Sequence, residues 1–306
     1  FEYELIAATG RRKLDIIEKY FAVILADLYY IWKNEAMSIE FVHLELAQDH
    51  KRVGKASDLE VMEKEKNFQV MRVQRFRAES EQRSTRARLA MAMQWPDQLA
   101  DKLIPPQLLE HVAIGETDAL QQQAQNDNPK ILALRAKLLS AQRELQAVRR
   151  QANPSIDAEV EAWSYGREFS SRDKWHAGIS LRLPLLQGGE VKAGVAKARA
   201  EVDFWQAELA QAILEVRQSV LDTWLQLNDL AKERKQTQVE NDYWDLNLEY
   251  SRTLRELEMQ TNLGNAMMLT SEARLKLAQA EFKTIIALAQ MQLLTGQGVN
   301  LKAIMQ

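Results

Sequence analysis

The chain has no cysteine, and only 11 glycines and 6 prolines among its 306 residues. Without cysteine there are no disulfides, no thiolate metal sites and no lipid-bearing cysteine within these residues. So few turn formers imply long elements, which bury a seam rather than a round core. A formal net charge of −3 leaves no basic footprint for nucleic acid. No run approaches the ~18 apolar residues of a membrane-spanning helix; the longest is Phe21 to Ala26. The sequence also shows no glycine-rich phosphate loop, no paired His–Glu metal motif and no serine in a nucleophile setting. The expectation is a protein that is not an enzyme and holds no cofactor and no metal.

What is present is helical periodicity. Residues 11–52 read as one helix, with Ile16, Tyr20, Val23, Asp27, Tyr30, Ala36, Phe41, Leu44 and Ala47 at roughly helical spacing. Val53-Gly54-Lys55-Ala56-Ser57 breaks it, and Ser57-Asp58-Leu59-Glu60 opens a second helix to about Gln94, with a capping oxygen and early acids. Residues 95–127, interrupted by Pro96, Pro105 and Pro106 and rich in Gln and Asn, read as a linker. Asn128-Pro129 opens a helix of ~24 residues that stops before Asn153-Pro154.

Two segments of strict period two follow. Ile156, Ala158, Val160 and Ala162 face one way, and Asp157, Glu159, Glu161 and Trp163 the other. In the second segment Ala177, Ile179, Leu181, Leu183 and Leu185 face one way, and His176, Gly178, Ser180 and Arg182 the other. Each segment is ~10 residues, the length of a tilted strand crossing a bilayer. A soluble sheet with one face on a core has the same alternation, but the sequence offers no further strands to build one. Trp163, Tyr165, Phe169 and Trp175 cluster at the loop end, as an interfacial aromatic belt does.

From Gly189 to Gln260 the only glycine or proline after the first residue is Gly194, giving a helix of roughly 105 Å. Val202, Trp205, Leu209, Ala212, Val216, Val220, Trp224 and Leu227 step by three and four, a coiled-coil pattern. Leu263-Gly264-Asn265 breaks that helix, and a last one runs to about Thr295. Gly54 and Gly264 each end a long helix, and each is followed five residues later by leucine, Leu59 and Leu269. The pattern suggests a duplicated unit: 1–94 as a first repeat, 95–127 as an equatorial linker and 128–306 as a second repeat.

The order Asn128-Pro129-Lys130-Ile131, Asn153-Pro154-Ser155, Pro184 to Gly189 and Leu263-Gly264 resembles the outer-membrane efflux protein family, the TolC-like channels. The likeness covers 128–296. In the first repeat Tyr20-Phe21-Ala22-Val23 and the 53–57 tip match in part, which reads as an N-terminally incomplete member lacking its first strand pair.

The resemblance implies a mainly α fold with a transmembrane β-hairpin: long antiparallel coiled-coil helices forming an α-barrel, and strands joining a trimeric β-barrel. It implies a homotrimeric outer-membrane exit duct with a periplasmic extension, served by a periplasmic adaptor and an inner-membrane pump. It would be a passive conduit of a tripartite efflux or type I secretion system. Ile156, Ala158, Val160, Ala162, Ile179, Leu181 and Leu183 would then meet lipid. Asp157, Glu159, Glu161, His176 and Arg182 would line water. Val53, Gly54, Ser57, Leu263, Gly264 and Ala266 would form adaptor-contacting tips, with Asp58 and Glu60 as constriction candidates.

Each assignment has a plainer counterpart. Gly54 and Gly264 serve equally as left-handed helix stops, and Asp58 and Glu60 as a solvated first turn. His43 and His50 lie ~10 Å apart along a helix, too far for one ion. Met259, Met267 and Met268 read as flexible filler, and Glu63 to Lys66 as a solvated face. A non-pore coiled-coil spacer of the periplasm uses the same helices. An adaptor does too, but it carries small β-domains that this sequence lacks.

Overall fold

The computed structural model describes residues 2–95, 103–106, 114–162, 175–184, 188–259, 261–300, 302 and 304. Its elements are α1 (Glu2–Arg52), α2 (Asp58–Met93), α3 (Thr117–Asp127), α4 (Pro129–Arg150), β1 (Ser155–Ala162), β2 (Trp175–Arg182), α5 (Glu190–Glu256) and α6 (Leu263–Leu294). Two compact units divide the chain, one of residues 129–215 and one of residues 2–128 with 216–306.

In the larger unit the helices pack side by side in the order α2, α1, α6, α5. Asp27 on α1 takes two guanidinium bonds from Arg86 on α2, at 2.7 and 2.8 Å, and a third from Gln82. Farther along, Tyr30 accepts from Arg75, and the Phe41 and Phe68 rings meet. On its other flank α1 meets α6, where Phe21 lies against Phe282. Between α6 and α5 runs a ladder of ion pairs: Lys283–Glu233 at 3.3 Å, Lys276–Glu240 at 2.9 Å and Arg274–Asp245 at 2.8 Å. The burial pattern follows this order. The inner helices α1 and α6 are buried along much of their length, whereas α2 buries mainly small residues toward its end.

Helix α1 begins nine residues earlier than the periodicity predicts, because Gly10 does not stop it. Gly10 is buried, and a side chain there would collide with Leu293 of α6, so the glycine permits close helix packing. A second departure lies in the supposed linker. Residues 117–127 form α3, whose Ala124 is fully buried. The glutamines and alanines that read as linker composition are good helix formers. Gln121 bonds the Arg217 carbonyl, Trp224 donates to the Gly115 carbonyl at 3.1 Å, and Asn128 donates to the Leu294 carbonyl at 2.9 Å.

The smaller unit holds α4, the hairpin and the start of α5. Gly194 lets α5 approach Val148, Lys130 pairs with Glu215 at 2.7 Å, and Lys137 sits 5.3 Å from the Trp205 ring. Helix α5 is 67 residues, about 100 Å. Its eight predicted seam residues, Val202 through Leu227, are all buried or half-buried.

Candidate membrane hairpin and helical tips

β1 and β2 are eight residues each and pair antiparallel with each other. No other strand occurs among the described residues. The register matches like with like: Ile156 faces Leu181, Ala158 faces Ile179 and Val160 faces Ala177. On the opposite face Asp157 meets Ser180, Glu159 meets Gly178, Glu161 meets His176 and Ser155 meets Arg182. One side of the ribbon is therefore continuously apolar, and the other carries acids, a histidine and an arginine. A one-residue slip would mix the two.

Among the described residues nothing covers the apolar side: Val160 is 77% exposed and Ile179 82%. The second strand ends sooner than the sequence suggests. β2 stops at Arg182, so Leu183 is exposed just beyond it, and Leu185 lies outside the described residues. Of the aromatic cluster only Trp175 is described, while Trp163, Tyr165 and Phe169 fall outside.

The first tip is closed by Gly54. Its φ is +76°, its N–H bonds the Lys51 carbonyl at 3.0 Å, and the Lys55 N–H bonds the His50 carbonyl at 2.8 Å. That is the left-handed stop expected of a glycine. Ser57 caps α2 through its hydroxyl, which accepts from the Glu60 N–H at 3.2 Å. Val53, Gly54, Ser57, Asp58 and Glu60 are all exposed, and Asp58 pairs with Lys51 across the turn.

The second tip is built differently, and the helix stop expected at Gly264 is not there. Helix α5 ends at Glu256, and Glu258, with φ +57°, takes the left-handed position. The Glu258 and Met259 N–H groups bond Arg255 and Leu254, the same motif as at Gly54. Gly264 is the second residue of α6, capped by Asn262. A Cβ there would lie 3.3 Å from Ile39 Cγ1, so close packing on α1 is what its missing side chain serves. Leu263 is half-buried, and Ala266, 4% exposed, belongs to the core rather than to a contact surface. Nothing in the sequence marks Glu258, since glutamate has no left-handed preference.

Among the described residues no group of acids and histidines could hold a metal ion, and no helix is long and apolar enough to cross a membrane. A cleft of about 370 Å³ lined by Lys137, Ser140, Glu144, Glu201 and Trp205 is shallow and open.

Long paired helices with an uncovered amphipathic β-ribbon define a class of protein, the outer-membrane channel with a helical periplasmic extension. The model of the family described as outer membrane efflux protein matches residues 120–297. The chain belongs to that family.

Solved structures share the fold at low identity. A membrane protein from Pseudomonas aeruginosa is 18% identical with TM-score 0.72, the match covering 96% of this chain and 70% of that one. VceC from Vibrio cholerae is 16% identical with TM-score 0.70, covering 98% and 73%. The CmeC outer membrane channel of Campylobacter jejuni is 16% identical with TM-score 0.69, covering 98% and 65%. A search of curated proteins finds no significant match.

Proposed function

We propose that this chain is one subunit of a homotrimeric exit duct, a passive conduit through which an inner-membrane pump and a periplasmic adaptor discharge solutes across the outer membrane. The observation that carries this reading is the hairpin. Among the described residues its two strands bond only each other, and nothing covers either outer edge or the apolar face. Within a bilayer an unpaired strand edge costs several kcal/mol for each unsatisfied group, so the ribbon must close into a barrel with other strands. Copies of the same chain supply them. Ile156, Ala158, Val160, Ala162, Ile179, Leu181 and Leu183 then meet lipid, and Asp157, Glu159, Glu161, His176 and Arg182 line the water-filled interior.

The tips at 53–58 and 257–264 are the surfaces offered to the adaptor, and Asp58 and Glu60 on the first of them are the acids placed to narrow the entrance. The test is purification from outer membranes. A detergent-requiring particle of three chains that conducts ions in planar bilayers is the expected result. A water-soluble monomer would overturn the reading.

A further inference from the structure

On the wet face of the hairpin one imidazole is set against two carboxylates. Glu161 stands directly across from His176, and Glu159 directly across from Gly178, the next rung of that face. The Glu161 carboxyl is close to that of Glu159, and close enough to His176 to feel its charge. Arg182 is at the other end of the ribbon, opposite Ser155 and one rung from Asp157. Six residues of extended chain, about 20 Å, separate it from His176. Among the described residues the charges of this face therefore divide in two. Arg182 sits with Asp157, and His176 sits with Glu159 and Glu161.

Gly178 is what lets the ring lie where it does. It is the one position in either strand that is not fully exposed. A Cβ built on it would lie 3.1 Å from His176 Nε2, and 3.9 Å from Cδ2 and Cε1. The imidazole is thus laid along the strand, over the gap that the glycine leaves, rather than standing out from the sheet. Its root is on the rung of Glu161 and its Nε2 end on the rung of Glu159. Glycine inside a strand commonly marks such a close approach. The arrangement is not a metal centre, since no set of acids and histidines among the described residues could hold an ion. What it offers is charge that a proton can change.

We propose that His176 sets the ion preference of the duct: uncharged, it leaves Glu159 and Glu161 free to favour cations, and protonated, it cancels part of their field. This rests on the trimeric-duct reading, which puts this face in water and repeats it around one lumen. Carboxylates lining a pore select cations, and fixed charges there act through the field they add together. The face carries Asp157, Glu159 and Glu161 against Arg182 alone, so a proton on His176 halves its net charge. Imidazole is the side-chain type whose charge ordinarily changes between pH 5 and pH 8. His176 is also the second residue of β2, at the loop end of the hairpin and away from the helices. In the assembled duct that is the outer end, so the adjustment answers to the medium outside the cell.

The full-length protein, purified in detergent, is placed in planar bilayers under a potassium chloride gradient. The zero-current potential is read at pH 8 and pH 5. The parent is expected to prefer cations at pH 8 and to lose roughly half of that preference at pH 5, in step with the net charge. His176→Gln is expected to hold the pH 8 preference at both values. His176→Lys, which fixes the charge, is expected to show the parent's pH 5 preference at both. Glu159→Gln with Glu161→Gln is expected to lower the preference at pH 8. A pH response that survives in His176→Gln would place the titration on the carboxyl pair or elsewhere in the lumen, and would overturn the proposal. So would a parent whose preference does not change with pH. In both cases the protein conducts and the duct reading stands. A parent that conducts nothing removes both.

Discussion

The ring of Phe21 lies flat on that of Phe282, with centroids 4.3 Å apart and planes 8° from parallel. Both are 2% exposed. The stack locks the register of α1 against α6, on which the heights of both tips depend. Phe282→Ala is expected to cost about 3–5 kcal/mol, and Phe282→Leu much less, since it leaves a smaller cavity. Chemical denaturation of the purified protein followed by circular dichroism reads both.

Val160 and Glu159 are neighbours on opposite faces of β1, which makes them a matched pair of probes. Val160→Arg is expected to cost about 2–4 kcal/mol at mid-bilayer and to block assembly in the membrane. Glu159→Lys is expected to leave assembly intact, because that side chain faces water. Membrane fractionation with trimer detection compares them. Normal insertion of the Val160 variant would mean that the assigned facing is reversed.

Two tips with different stops respond oppositely to glycine. Glu258 holds a left-handed backbone that costs a non-glycine residue roughly 1 kcal/mol, so Glu258→Gly is expected to stabilise by about that much. Gly54→Ala, at φ +76°, is expected to destabilise by a similar amount. Gly264→Val acts by another route, pressing on Ile39, and should disturb α1–α6 packing rather than the turn. Thermal melts of the three variants separate the cases.

Burial raises the Glu281 carboxyl above its usual 4.5, with Arg234 partly opposing the rise. Just above that usual value the native state therefore keeps a proton that the unfolded chain has released. Stability falls as pH rises from the unfolded value through the folded one. Glu281→Gln carries no such charge. It is expected to be more stable than the parent at pH 7, with the advantage vanishing below about pH 4.5. Denaturant midpoints at the two pH values test this, and an advantage independent of pH would refute it.

Long helices, the β-ribbon and its two faces were legible in the sequence because period and alternation are local. So was the α5 seam from Val202 to Leu227. Other features depend on partners far along the chain. Gly264 reads as a break, yet it and Gly10 are each fixed by a residue more than two hundred positions away, Ile39 and Leu293. The Glu233–Lys283 rung joins residues that no local rule relates. Residues 117–127 were misread because glutamine-rich composition suits a linker as well as a helix.

A ribbon with two raw edges and an oily side cannot wait alone in either water or lipid. In the proposed trimer, becoming folded, meeting its siblings and entering the bilayer are linked in one thermodynamic event. Its melting point is accordingly a function of how many copies are nearby, and diluting it is a form of denaturing it.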